Sequence, residues 1–327
     1  MSTDSSSARA RAAPRSSPNR PPRRPRSCDS PRSPSPTGTV TTTSRMSSDM
    51  PELPEVETIR RELEKEVVGR KIKSVDVTGR RTVRRQKPAE FKAGLVGAKI
   101  TGAQRRGKYL LLTLDNGSVL VVHLRMSGQL LRAAVKEPKA KHTHVVIDFT
   151  QGGQLRFVDP RTFGEMFLAT PDEITSEIEE LSTLGVDPVD TPMSWVDFGH
   201  LLRSKNMKLK AFLTDQSMIA GIGNIYSDEI LFDAGLRFDR ETSSLTTQEI
   251  RRLYRSLVEI LHEACKYNGS TLADAQYVDI FGKPGSFQEH HQVYDRDKQP
   301  CRRCRRGDIQ KAKFATRSTF YCEVCQV

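Results

Sequence analysis

The sequence has no run of about 18 apolar residues, the length a membrane-spanning helix requires, and its mean hydropathy is −0.53. We therefore expect no membrane partner. Six cysteines in 327 residues are too few for a disulfide scaffold. Acidic residues are in deficit, because 40 Asp+Glu face 52 Lys+Arg, and the net charge of +12 favours a polyanionic partner. The length suggests roughly two or three domains.

Residues 1–49 contain no Leu, Ile, Phe, Tyr or Trp. They hold eight of the 18 prolines, nine arginines and three acidic residues, a net charge of 9 − 3 = +6. Such a segment cannot bury enough apolar surface to offset its ordering entropy, so we predict that it is disordered. It lacks the apolar core that a secretory signal requires. A role as an organellar transit peptide is the alternative that its composition leaves open. The remaining residues carry 12 − 6 = +6 and are basic in their own right.

From residue 50 onward the patterns are those of folded segments. Apolar residues at helical spacing from Val56 to Val67 predict a helix that stops at Gly69. Two turn signals, Asp115-Asn116-Gly117 and Gly152-Gly153, lie between apolar runs and predict two β-hairpins in a β-rich domain that reaches about residue 185. Helices are predicted farther along, over residues 225–234 and 250–265, with a glycine-rich turn before the first of them, at residues 219–224.

Four of the six cysteines form two C-x-x-C pairs near the end of the chain, Cys301 with Cys304 and Cys322 with Cys325. Two such pairs can present four thiolates to one tetrahedral Zn²⁺. The segment is too short for a hydrophobic core, so we expect one structural zinc ion to supply its folding energy. Cys265 is expected in the core, and Cys28 lies in the N-terminal extension.

Basic residues surround these cysteines and recur in three other clusters, which together favour a nucleic-acid surface. The clusters are Arg80-Arg81 with Arg84-Arg85, Arg105-Arg106 with Lys108, Lys205 with Lys208 and Lys210, and, at the cysteines, Arg302, Arg303, Arg305, Arg306 and Arg317.

The first ordered residues, Pro51 and Glu52, have two interpretations. A proline at the start of a helix is ordinary, because its missing N–H would have no helical partner there. Alternatively, Pro51 becomes the chain terminus. A terminal amine with a pKa near about 8 is partly unprotonated at neutral pH and can attack an electrophilic carbon. Glu52 would then lie beside it to transfer protons.

With these features together, the chain resembles formamidopyrimidine-DNA glycosylase, the bacterial base-excision enzyme that removes oxidised purines. The resemblance covers residues 50–327, with every landmark in order. The segments that carry it are Met50-Pro51-Glu52-Leu53-Pro54-Glu55-Val56-Glu57-Thr58, Arg105-Arg106-Gly107-Lys108-Tyr109-Leu110-Leu111-Leu112, His123-Leu124-Arg125-Met126-Ser127-Gly128, Asp159-Pro160-Arg161-Thr162-Phe163-Gly164, Gly221-Ile222-Gly223-Asn224-Ile225-Tyr226 and the cysteine pairs with Arg317-Ser318-Thr319-Phe320-Tyr321-Cys322.

The resemblance implies an α+β multidomain fold. It comprises a catalytic N-terminal β-sandwich with a leading helix (50–185), a helix–two-turns–helix DNA-binding domain (186–290) and a C-terminal zinc finger (291–327), after the extension 1–49. The implied enzyme is a monomeric glycosylase and AP lyase of the bacterial cytoplasm and nucleoid, and its partner is double-stranded DNA that contains oxidised bases.

Roles follow for the matching positions. Pro51 would form a Schiff base with deoxyribose C1′ of a flipped nucleotide, and Glu52 would donate the proton for ring opening. Lys108 would act in β-elimination and Arg317 in δ-elimination. The positions matching DNA contacts are His142, Arg161, Lys205 and Asn224, the last beside a helix start that favours anions. Met126, Arg161 and Phe163 match the residues that fill the hole left by the flipped nucleotide.

One feature departs from the family pattern: 50 residues precede Pro51, and an internal proline has no nucleophilic amine. Translation from Met50 followed by loss of that methionine would free the amine, as would cleavage of the extension. A chain that keeps the extension would be a non-catalytic binder of damaged DNA. A sister glycosylase for oxidised pyrimidines is the other alternative, although Leu53-Pro54 and residues 282–285 look more like the purine branch.

Overall fold

The computed structural model describes residues 51–79 and 81–327. The predictions for residues 1–49, Met50 and Arg80 lie outside this range. The described part contains seven α-helices and ten strands; three short non-α helices cover residues 173–177, 242–244 and 287–290. In chain order these elements are α1 (Leu53–Glu66), β1 (Ile72–Val77), α2 (Pro88–Leu95), β2 (Ile100–Arg106), β3 (Tyr109–Leu114), β4 (Val119–His123), β5 (Gln129–Ala133), β6 (Thr143–Phe149), β7 (Gln154–Val158), β8 (Glu165–Ala169), α3 (Glu179–Ser182), α4 (Trp195–Arg203), α5 (Leu209–Thr214), α6 (Asn224–Ala234), α7 (Thr247–Lys266), β9 (Gln310–Phe314) and β10 (Arg317–Tyr321).

Two four-stranded antiparallel sheets follow α1, in the orders β1-β6-β7-β5 and β2-β3-β4-β8. Apolar side chains from both sheets share one core, among them Leu110, Leu120, Ile147 and Phe157. Both predicted hairpins are present, as β3–β4 and β6–β7. The leading helix is also confirmed, and Gly69 follows it with φ +86°.

Strand β3 is buried along nearly its whole length rather than on alternate residues. Its second face carries Tyr109 and Leu111, which pack against Ile174 and Leu181 from the segment after β8. This segment covers the outer face of the sheet. Both faces of β3 and of its neighbour β4 are therefore buried, and their sequences are mostly apolar.

Helices α4–α7 form a second core, and the short β9–β10 hairpin packs beside it. The predicted helices after residue 224 and residue 250 are α6 and α7. Gly235, with φ +67°, ends α6 in the left-handed conformation that glycine favours. Cys265 is buried on α7, as expected. The α+β fold class is confirmed. In the described part of the chain, no helix is long and apolar enough to cross a membrane.

Candidate active site

The start of α1 and the start of α6 meet at a close backbone contact. The N–H of Leu53 donates to the carbonyl of Gly221 at 2.9 Å. Gly221 has φ +96°, and a Cβ there would lie 2.7 Å from the Cβ of Leu53. Only glycine meets both demands, so the glycine-rich turn before α6 brings the first ordered residues of the chain against the N-terminus of that helix.

This contact places the Glu52 carboxylate on the N-terminus of α6. Its oxygens accept backbone N–H groups of Gly223 at 2.7 Å, Ile225 at 2.8 Å and Tyr226 at 3.4 Å, and the residue is 1% exposed. The sequence indicated that this helix start would attract an anion, and the structure shows which anion occupies it. The N–H groups expected to face a phosphate beside Asn224 face a carboxylate of the protein itself.

Lys108 lies at the same point and is only 7% exposed, although a lysine before an apolar strand is ordinarily a surface residue. A Cβ added to Gly223 would lie 2.5 Å from Oε1 of Glu52 and 2.9 Å from Nζ of Lys108. The carboxylate and the amine therefore converge on one glycine. Nearby, burial together with Arg125 and Lys108 holds the pKa of His123 well below its ordinary value, so His123 is neutral.

A cleft of about 550 Å³ opens beside this pair. Lys108, Asn224 and Arg317 all line it, so the structure brings together three residues that are far apart in sequence. Arg317 begins β10 and is exposed. Pro51 is buried and lines a separate niche of about 10 Å³ beside Ser270 and Tyr277.

Glu55 belongs to the first motif, is buried, and was assigned no role from the sequence. Its carboxylate accepts the Tyr226 hydroxyl at 2.5 Å and the N–H groups of Ser270 at 2.6 Å and Glu52 at 2.8 Å. Burial raises the pKa of Glu55. A further hydrogen bond joins Ser270 to the buried His291 at 3.0 Å. Glu55 thus holds the backbone next to Pro51 as part of a capping box with Glu52. The sequence signal for this contact is a glutamate at the third position of α1.

Arg161 and Phe163 share one turn after β7, with the Arg161 guanidinium 5.2 Å from the centre of the Phe163 ring. Thr162 between them has φ +57°, a left-handed conformation within the turn that follows β7. The buried Asp159 holds the turn, since it accepts the N–H groups of Arg161 at 3.2 Å and Gly164 at 2.7 Å.

The loop that carries Met126 is attached to the same carboxylate, through the Ser127 hydroxyl at 2.5 Å. The carbonyl of His142 accepts the N–H of Asp159 at 3.0 Å. Met126 is half-buried and His142 is exposed. Four predicted DNA-contacting residues therefore belong to one assembly organised by Asp159, an aspartate that sequence reasoning missed.

Two of the predicted basic clusters are only partly surface features. Arg105 is fully buried, and its guanidinium pairs with Glu57 at 3.1 Å, with Asp187, and with Asp190 at 3.0 Å. It joins α1 and β2 to the segment after α3 and is unavailable to DNA, which corrects the expectation. Lys210 is likewise buried.

Lys205 stays exposed, 3.5 Å from a carboxylate oxygen of Asp215. At the cysteines, Arg303 stacks over Phe232 and donates to its carbonyl, whereas Arg305 and Arg306 are exposed.

The four cysteines of the C-x-x-C pairs converge, and their Sγ atoms all lie within 4.8 Å of one another. Two of the sulfur–sulfur distances are 3.8 Å, far longer than a disulfide bond of about 2.05 Å. The group can hold one metal ion, as the spacing predicted.

A β-sandwich, a helix–two-turns–helix domain and a four-cysteine hairpin around a cleft with a buried carboxylate and lysine define a class of DNA-processing protein. A family model described as the formamidopyrimidine-DNA glycosylase N-terminal domain matches residues 50–166, and one described as the formamidopyrimidine-DNA glycosylase H2TH domain matches residues 184–276. The chain belongs to the formamidopyrimidine-DNA glycosylase family.

Individual relatives agree. The formamidopyrimidine-DNA glycosylase of Pelotomaculum thermopropionicum is 42% identical over 278 residues, which cover 85% of this chain and 99% of that protein. A complex of the Lactococcus lactis protein with DNA containing an abasic site has a TM-score of 0.77 at 38% identity and covers 84% of this chain and 99% of that one. A complex of MutM with DNA containing carbocyclic 8-oxo-G also has a TM-score of 0.77 at 38% identity, and covers 84% of this chain and 99% of that one.

Proposed function

We propose that this protein excises oxidised purines from double-stranded DNA and cleaves the abasic site that results, using the amine of Pro51 as nucleophile. One observation carries the proposal: the buried Glu52 carboxylate and the Lys108 amine converge on Gly223 beside the cleft. Glu52 is the residue that follows Pro51 in the chain. A relative solved with abasic-site DNA and another solved with an 8-oxo-G analogue support the substrate class.

In the proposed first step, the lone pair of the Pro51 amine attacks C1′ of a nucleotide flipped out of the duplex. The C1′–N bond to the base breaks, and the base leaves with the electron pair and takes a proton from water. The C1′–O4′ bond then breaks as the sugar ring opens, which leaves an iminium between the Pro51 nitrogen and C1′. This chemistry requires a free secondary amine, so the full chain with Pro51 inside a peptide bond should bind DNA without reacting.

Glu52 is the proposed carrier of the proton. Its oxygens accept three backbone N–H groups, and in the proposed step the carboxylate first accepts the proton released when the amine attacks. It then delivers this proton to the ring oxygen as the ring opens. The helix N-terminus keeps the carboxylate in place throughout, and its burial excludes bulk water.

Lys108 and Arg317 are proposed for the later steps, since both line the cleft. In β-elimination the C2′ proton is lost to water and the C3′–O bond breaks, and Lys108 would protonate the leaving phosphate. In δ-elimination the C4′ proton is lost to water and the C5′–O bond breaks, and Arg317 would face the second leaving phosphate. An arginine remains charged at all relevant pH values, so it would act mainly by stabilising the leaving phosphate as an anion.

For DNA recognition we propose that Met126, Arg161 and Phe163 enter the duplex where the nucleotide leaves it. Phe163 is 46% exposed, unusual for a phenylalanine and suited to a wedge between base steps. The exposed His142 and Lys205, together with Asn224, would contact phosphates. Lys205→Ala should reduce affinity for damaged and plain duplex alike and lower the salt dependence by about 0.9 per lost contact.

We propose zinc as the metal of the four-cysteine site. Zn–S bonds of about 2.3 Å in a tetrahedron set sulfur atoms about 3.8 Å apart, and two observed separations are 3.8 Å. Such an ion would stabilise the hairpin that carries Arg317. We further propose that one chain acts on each lesion, in the cytoplasm and nucleoid of a bacterium.

The test compares two lengths of the protein. A form beginning at Met50, whose loss of methionine is verified by mass, should be trapped by borohydride on duplex containing 8-oxoguanine. The verified 1–327 chain should bind the same duplex and give no adduct. Equal trapping by both lengths would show that Pro51 is not the nucleophile. Duplexes with an oxidised pyrimidine, run in parallel, test the sister activity.

A further inference from the structure

A buried aspartate connects the helix that holds Glu52 to the strand that carries Arg317. Asp228 lies on α6, one turn after the residues that bind Glu52, and is 1% exposed. Its Oδ1 accepts the Thr319 hydroxyl at 2.5 Å, and its Oδ2 accepts the N–H of Phe320 at 2.9 Å. Both partners belong to β10, two and three residues after Arg317.

Oδ1 of Asp228 also accepts a hydrogen bond from the ammonium group of Lys210, at 2.6 Å. Lys210 comes from α5, is 2% exposed and lines the cleft. Three elements therefore meet at one carboxylate: α5, α6 and β10. Because the pair is buried, losing one partner would leave a charge without compensation, so breaking this junction costs free energy.

Strand β10 is an edge of a two-stranded sheet, and β9 is its single neighbour among the described strands. The N–H of Phe320 donates to Asp228 instead of to another strand. Farther from the cleft, the cysteine-bearing segment is attached to α6 by Arg303, which donates to the carbonyl of Phe232. The contact through Asp228 attaches β10 to α6 two residues after Arg317.

We propose that Asp228 is a positioning residue that sets the placement of Arg317 relative to Glu52 and Lys108 through Thr319 and β10. This inference rests on the function proposed above. Glu52 is bound to α6 by backbone groups, so loosening β10 leaves the base-release machinery in place. The step that requires Arg317, cleavage of the C5′–O bond, should then suffer selectively.

The mildest perturbation is Thr319→Val, which removes the hydroxyl but keeps the shape of the side chain. Thr319→Ser restores the hydroxyl. The matched control is Ser256→Ala, because Ser256 also donates a buried hydroxyl to a carboxylate of α6, that of Asp233 at 2.6 Å. All variants are made in the form with a free Pro51 amine, and metal content and circular dichroism verify their fold.

Two quantities are measured on duplex with 8-oxoguanine: the single-turnover rate of base release, and the ratio of δ- to β-elimination products. We expect Thr319→Val to lower the product ratio about tenfold, because a hydrogen bond to a charged group is lost, with base release changed less than about threefold. Thr319→Ser and Ser256→Ala should match the unmodified protein.

The inference is overturned if Thr319→Val keeps the product ratio, or if both quantities fall together, since the contact would then serve folding alone. Failure of the proposed function looks different. In that case the unmodified protein, with its free Pro51 amine, releases no 8-oxoguanine at all.

Discussion

Replacing Gly223 by alanine tests the geometry of the site most directly. The φ of Gly223 is −133°, outside the left-handed region, and the relevant cost is the space that a Cβ needs. That Cβ would lie 2.5 Å from Oε1 of Glu52, 2.6 Å from its Cδ and 2.9 Å from Nζ of Lys108. The substitution therefore acts on the two reacting groups and on little else.

The expected magnitude follows from these distances. Side-chain atoms essentially never approach a Cβ within 3.0 Å, so the Glu52 oxygen must shift by at least 3.0 − 2.5 = 0.5 Å. Its hydrogen bonds to Gly223 and Ile225, at 2.7 and 2.8 Å, would lengthen or break. Loss of one hydrogen bond to a charged group costs about 1.5–3 kcal/mol. We therefore expect base release to slow by about 10- to 100-fold.

The assay is single-turnover release of 8-oxoguanine from duplex DNA by Gly223→Ala and by Glu52→Gln, singly and combined. The double variant should be little slower than the slower single one, because both changes act through one carboxylate. Gly199→Ala is the control, since its Cβ would lie 3.4 Å from Ile250, an ordinary contact, and its rate should be unchanged. A rate for Gly223→Ala within twofold of normal, or additive effects in the double variant, would refute the reasoning.

Three further predictions concern the rest of the molecule. Cys301→Ser should abolish stoichiometric zinc and weaken DNA binding while the upstream domains stay folded; freshly purified, active protein without zinc in elemental analysis would contradict this. Arg105→Met should lower the free energy of unfolding in urea by about 3–5 kcal/mol, because it leaves buried carboxylates unpaired; a loss below about 1 kcal/mol would argue against the buried network. Burial and Asp279 raise the pKa of Glu62 to about 7, so the stabilisation from its protonated form is lost as the pH rises through that value. Hydrogen exchange at the Ile280 amide, which donates to Glu62 at 3.0 Å, should then accelerate beyond its intrinsic pH dependence between about pH 4.5 and pH 7 and follow the intrinsic dependence above that range. Glu62→Gln should remove the extra acceleration; if it persists there, Glu62 is not the titrating group.

The sequence by itself determined the local elements. Helical spacing from Val56 gave α1, and the turn signals at residues 115–117 and 152–153 gave two hairpins, because both depend on interactions between near neighbours. Cysteine spacing predicted the thiol cluster for the same reason, since each pair lies within one turn and the two pairs are joined by a hairpin. The family, too, was evident from motifs in the correct order.

Tertiary structure alone decided which charged residues are buried. Arg105 and Lys210 belong to basic clusters in the sequence, yet both are buried. Arg105 is paired with carboxylates from distant segments, and Lys210 is paired with Asp228 on the next helix. Lys108 resembles a surface lysine in sequence and is buried beside Glu52. Burial and charge pairing depend on which segments are in contact in the folded protein. A single sequence gives the residues but not the contacts between distant segments. The sequence indicated an anion at the start of α6. Because that anion comes from a distant segment, only the fold revealed that it is Glu52.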